Sequence, residues 1–134
     1  RTTLRLRHDL VMIGRASVVP LPLELQRRLA APLARVTDAI ADYLAASAAA
    51  LRKGTLPPAI LPIQNALQAY AAEVAALRSE GLTRGVPGDV AERFFALGFS
   101  LEQMRQNLKD LERCVTVWAG SSDVPTRQLE DEVQ

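Results

Sequence analysis

Apolar positions along this chain recur at alternating steps of four and three, the interval that lines side chains along one stripe of an α-helix. The longest run is Val90, Phe94, Leu97, Leu101, Met104, Leu108, Leu111, Val115 and Trp118, nine positions in one register. Upstream, Ile63, Leu67, Tyr70, Val74 and Leu77 repeat the pattern. A third stripe joins Leu25, Leu29, Leu33, Val36, Ile40 and Tyr43 to the segment from Ser47 to Leu51, and near the start Leu6, Leu10 and Ile13 share a face.

Proline and glycine set the boundaries between these stripes. The first helix is expected from about Leu4 to Arg15, interrupted by Pro20 and Pro22. Pro22 suits an early helical position, where its missing N–H has no intrahelical partner, and the second helix runs from there to Lys53. Pro32 lies inside it and cannot bond the carbonyl of Arg28, which predicts a bend and not a break. Gly54 fits the position after a helix end, and Leu56-Pro57-Pro58 opens the next element. The third helix is expected over Pro58 to Glu80, with Pro62 in its first turns, and Gly81 ends it.

Gly85-Val86-Pro87-Gly88 reads as a turn, and Asp89 followed by Glu92 reads as the capped, acidic start of a fourth helix. From Asp89 to Ala119 this helix would be about 46 Å long, which calls for a long partner, and the second helix qualifies. Gly98 weakens helix propensity there; it marks either a close approach of a neighbouring backbone or a simple weak spot. The chain is therefore expected to be all-α: an antiparallel up-down helical bundle of three long helices plus a shorter N-terminal helix, occupying residues 1–120. Residues 121–134 are expected to form a flexible polar tail.

Composition refines this picture without redirecting it. Of 134 residues 49% are hydrophobic but only 4% aromatic, so alanine and leucine must supply the core of a single domain. The net charge of +1 gives no reason to expect nucleic acid as a partner. Locally the balance differs: Arg1, Arg5, Arg7 and Arg15 face only Asp9, while the C-terminal end carries Asp123, Glu130, Asp131 and Glu132 against Arg127. The single cysteine, Cys114, cannot form an internal disulfide, and its place in a helical pattern predicts a small buried thiol. No apolar run approaches the roughly 18 to 20 residues of a membrane helix, so the chain as it stands is expected to be soluble.

No residue pattern points to catalysis. Nucleophilic chemistry needs a serine, threonine or cysteine beside a positioned base, and one histidine and one cysteine on separate helices do not supply it. Neither the ligand spacing of a zinc site nor a phosphate-binding glycine loop is present, so no metal and no cofactor are expected. Glu102, Asp110 and Glu112 among Arg105, Lys109 and Arg113 read as a solvated helix face with local ion pairs. His8 admits three readings. It can form, with Asp9 and the nearby arginines, a polar junction between the first helix and the bundle; it can belong to a contact surface for a membrane, partner or ligand; or it can accept a phosphoryl group, although Val11 stands where relay domains usually carry lysine.

The run Arg5-Leu6-Arg7-His8-Asp9-Leu10-Val11-Met12-Ile13-Gly14-Arg15-Ala16, the following Pro20-Leu21-Pro22, and the stretch from Arg93-Phe94-Phe95 through Gly98-Phe99-Ser100 to Gln106-Asn107-Leu108 resemble the soluble helical region of fusaric acid resistance proteins. These are bacterial inner-membrane proteins related to aromatic carboxylic acid exporters. The resemblance spans roughly Leu4 to Trp118, and the Arg-His-Asp stretch is its distinctive part. It implies an efflux protein whose transmembrane part is a partner of this domain, with the domain in the cytoplasm, a periplasmic adaptor for the parent, and a homo-oligomer as a further expectation. The non-methionine first residue agrees with a segment of a longer protein. In that frame Arg5, Arg7, His8, Asp9 and Arg15 are the expected membrane-proximal or partner contact, in a domain with a scaffold, assembly or regulatory role and no enzyme activity. The competing expectation is a free-standing bundle that relays phosphate from His8 or holds a small ligand between its helices.

Overall fold

The computed structural model describes residues 1–17 and 20–122, and among these it contains four α-helices and no strand. They are α1 (Thr2–Ser17), α2 (Leu23–Lys53), α3 (Leu61–Ser79) and α4 (Gly88–Ser122). The all-α bundle read from the stripe pattern is the observed architecture. Ser121 and Ser122, expected in the tail, still belong to α4, and residues 123–134 of the expected tail lie outside the described residues.

Local chemistry explains the helix ends. α2 stops where Gly54 takes a left-handed conformation, φ +66°, which lets the N–H groups of Gly54 and Thr55 both reach the carbonyl of Ala50. Gly81 does the same after α3 at φ +76°, and the N–H of Leu82 closes on the Leu77 carbonyl at 3.1 Å. α3 begins three residues later than the expected Pro58. Leu56 and Pro57 each precede a proline, which drives them away from helical backbone angles, whereas Pro62 sits within the first turn of the helix. Pro32 is carried inside α2, which is continuous through it.

The core joins Leu25, Leu29, Val36, Ile40 and Tyr43 of α2 with Ile63, Tyr70 and Leu77 of α3 and with Phe94, Leu97, Leu101, Met104 and Leu108 of α4. The stripes therefore face one another as their spacing requires. α2 packs closely along α3, and the Arg28 guanidinium ties the pair together, reaching Glu73 at 2.5 Å and Glu80 at 3.0 Å. From α2 the Tyr43 hydroxyl donates a long hydrogen bond, 3.4 Å, to the Leu108 carbonyl of α4.

The closest companion of α4 is α1, not the second helix on which its length was expected to depend. α1 runs antiparallel to it: Leu4 to Asp9 lie beside Gln103 and Asn107, and Met12 to Ala16 lie beside Arg93 and Ala96. With 16 residues α1 is about 24 Å long, against about 52 Å for the 35 residues of α4. The remaining length of α4 extends past it.

Two corrections lie toward the C-terminal end of α4. Cys114, expected as a buried thiol, is exposed, and Trp118, expected in the core seam, is 47% exposed. Cys114 lies seven residues beyond Asn107 on the same line of α4, past the stretch that α1 covers. Of the two readings open for Gly98, the structure removes the close approach. A methyl group built there would meet nothing within 4 Å, so no backbone approaches it and the weak-spot reading holds.

Candidate contact surface on the first helix

The buried line of α1 is Leu6, Asp9, Ile13 and Ala16, the first two almost fully enclosed and the others partly. Leu10, expected beside Leu6 and Ile13 on the inner face, is 54% exposed. The reason is the strip of α4 that α1 meets. Ala96, Ser100, Gln103 and Asn107 follow steps of four, three and four, just as the apolar seam does, but they are small or polar. Ser100 and Asn107 are buried there. A leucine would find little to pack against on such a strip, while a carboxylate finds a donor. The Asn107 side-chain amide donates to Oδ2 of Asp9 at 2.6 Å, with both residues at least 96% buried.

The five residues singled out from the sequence are thus divided by the fold. Asp9 alone of the five turns inward and fastens α1 to α4, so the junction expected of His8, Asp9 and the arginines together is made by Asp9 without the others. Arg5, Arg7, His8 and Arg15 are exposed. Arg5 and His8 line a shallow open cleft of about 380 Å³ together with Leu4, Asp9, Gln103 and Asn107. Arg15 and Met12 line a second with Arg93 and Ala96. Because Asp9 is the sole carboxylate in α1 and is spent on Asn107, the outer surface of this helix is cationic without an acidic residue of its own.

A third concavity was not anticipated as a site. Between α3 and α4 lies an open groove of about 400 Å³ whose walls include Leu67, Ala71, Ala75, Gly98 and Leu101. Its depth comes from the alanines and from the missing side chain of Gly98. Phe95 and Phe99 stand at its edge, 49% and 73% exposed, and the Arg78 guanidinium sits 5.4 Å from the Phe95 ring centre. Tyr70 also lines the groove; its buried hydroxyl has no hydrogen-bond partner, and burial pushes its pKa up from 10.0. The sequence signal for this feature was the alanine content of α3 beside a helical glycine, which spacing alone could not place opposite one another.

The charges of the outer α4 face pair as expected: Arg105 with Glu102 at 2.6 Å and Arg113 with Asp110 at 3.6 Å. The Arg105 guanidinium holds the Glu102 carboxyl below its usual value. Among the described residues no three His, Cys, Asp or Glu side chains gather as a cation would need, and no helix is long and apolar enough to cross a membrane. Comparison with family models, curated proteins and solved structures yields no match to this chain.

Proposed function

We propose that this chain is the cytoplasmic helical domain of an efflux-type inner-membrane protein of the fusaric acid resistance kind, serving assembly or regulation of the membrane part. The support is the resemblance in the Arg-His-Asp run and in α4, together with one structural observation: α1 sorts its charges, burying Asp9 against Asn107 and turning Arg5, Arg7 and Arg15 outward. Such a helix is rigidly seated on one side and positively charged on the other, as a domain beneath a membrane requires, since anionic lipid lies on the cytoplasmic side. The role is mechanical: α4 is a rod of about 52 Å along which a displacement at α1 travels to the rest of the bundle. The test is the genomic reading frame upstream of Arg1. Several apolar spans of about 20 residues there support the reading; a start codon immediately before Arg1 ends it.

A second reading, a bundle that holds a small ligand, draws on the groove between α3 and α4. Its volume of about 400 Å³ falls in the range of ligand sites, and Phe95 and Phe99 stand exposed at its edge. Gly98 lines the groove and has room for a Cβ, so Gly98→Leu puts a side chain into it. If an apolar dye such as 1-anilinonaphthalene-8-sulfonate binds the wild type and not this variant, the ligand reading gains; equal binding to both removes it.

A further inference from the structure

From the arrangement of α1 we infer that its outward face is a contact surface for an anionic phospholipid bilayer. This rests on the membrane-domain reading above for the place of the helix, and goes further in naming what the face touches. Four exposed residues, Leu4, His8, Val11 and Arg15, follow steps of four, three and four and so form one line directly opposite the buried one. Leu4 is 68% exposed and Val11 45%, and Leu10 and Met12 flank them at 54% and 37%. Arg5 and Arg7 lie on either side of the same line. This is half a helix of uncovered apolar side chains with arginines interleaved among them.

Three features select a bilayer over other occupants. Every charge that α1 brings to the face is cationic, because the one carboxylate of α1 is withdrawn into the bond with Asn107; an anionic surface is its electrostatic complement. A second copy of the chain meets it poorly, since the same face on both partners would set arginine against arginine. Nucleic acid would be served by the arginines but leave Leu4, Leu10 and Val11 in water. A membrane interface takes both kinds of residue at once: apolar side chains enter the headgroup boundary, while arginine stems lie along them and carry their guanidinium groups out to the phosphates.

The fold also removes the ordering cost. A free basic peptide must become helical as it binds, whereas α1 is already helical and held along α4 through Leu6, Asp9 and Ile13. Its about 24 Å length presents the line Leu4 to Arg15 lengthwise, so all three turns can meet a flat surface together.

The experiment is co-sedimentation of the whole chain with phosphatidylcholine vesicles made with and without phosphatidylglycerol. Binding is expected only with the anionic lipid, and is expected to fall when salt rises from about 0.1 M to about 1 M, which shortens the screening length from about 10 Å to about 3 Å. Each of Arg7→Gln and Arg15→Gln is expected to weaken it about fivefold, and the pair Leu4→Ser with Val11→Ser to weaken it further while circular dichroism stays unchanged. Absence of binding to anionic vesicles overturns the inference. So does binding that ignores the Leu4 and Val11 changes, which would make the contact a plain charge attraction, and so does a doubled mass in light scattering that those changes abolish, which would give the face to a second copy. None of these results bears on the upstream reading frame, so the parent-protein reading stands or falls separately.

Discussion

Asp9 and Asn107, 98 residues apart in the chain, form a 2.6 Å hydrogen bond sealed between α1 and α4. The pair does for α1 what apolar packing does for the other helices. A buried acceptor in this setting is stabilising only while its donor is present, because a polar group left without a partner away from water is costly. Asn107→Leu is therefore expected to lower unfolding stability by about 2 kcal/mol. Asp9→Leu combined with Asn107→Leu is expected to recover most of that loss, since replacing both partners by apolar groups leaves no polar group unpaired. Urea unfolding of the two variants measures both; equal losses would show that the bond contributes nothing specific to the docking of α1.

Two glycines are expected to answer oppositely to the same change. Gly98 is helical and faces open space, so Gly98→Ala is expected to stabilise the chain by about 1 kcal/mol through helix propensity alone. Gly54 sits at φ +66°, where a Cβ is strained whatever room surrounds it, and Gly54→Ala is expected to cost about 1 kcal/mol. Paired thermal melts show the two signs directly.

Acid should loosen the α2–α3 pair. The Arg28 guanidinium, by hydrogen bond and by charge, holds the Glu80 carboxyl below its ordinary value of 4.5. A group with a depressed native pKa favours the fold above its unfolded pKa, and that contribution fades as pH falls through the native one. Glu80→Gln is thus expected to make stability less sensitive to pH below about 4.5, while leaving the neutral-pH slope unchanged. Chemical denaturation in steps from pH 6 to pH 3 gives the comparison; identical slopes for both proteins would refute the linkage.

Cys114 is expected to react with a thiol reagent in the native protein at a rate near that of an unfolded control, because it lies on the uncovered length of α4. Protection until denaturant is added would mean that something covers this part of the helix in solution.

The number of helices, their turns and most members of the stripes on α2, α3 and α4 were legible from the chain because they are local. A step of four and three fixes which side chains share a face, and glycine or proline fixes where the backbone must leave the helix. Leu25 to Tyr43, Ile63 to Leu77 and Phe94 to Leu108 needed no partner to be recognised as buried lines. Arg28 is different: nothing in its neighbourhood marks it as the cation that joins Glu73 and Glu80, because that contact spans a turn and two helices.

For the candidate surface the sequence supplied the residues and tertiary structure supplied their division. Arg5, Arg7, His8, Asp9 and Arg15 were found as one cluster, and periodicity alone put Leu10 inside. Only when α1 met the small and polar strip of Ala96, Ser100, Gln103 and Asn107 did Asp9 turn inward and Leu10 outward. A helix carries its pattern within itself, but the rotation at which it docks depends on the surface it docks upon. That surface belonged to a segment nearly a hundred residues away, and the same choice of partner left Cys114 beyond the stretch that α1 covers. Local spacing determined the rods; the chemistry of their contacts determined which of their faces remained exposed.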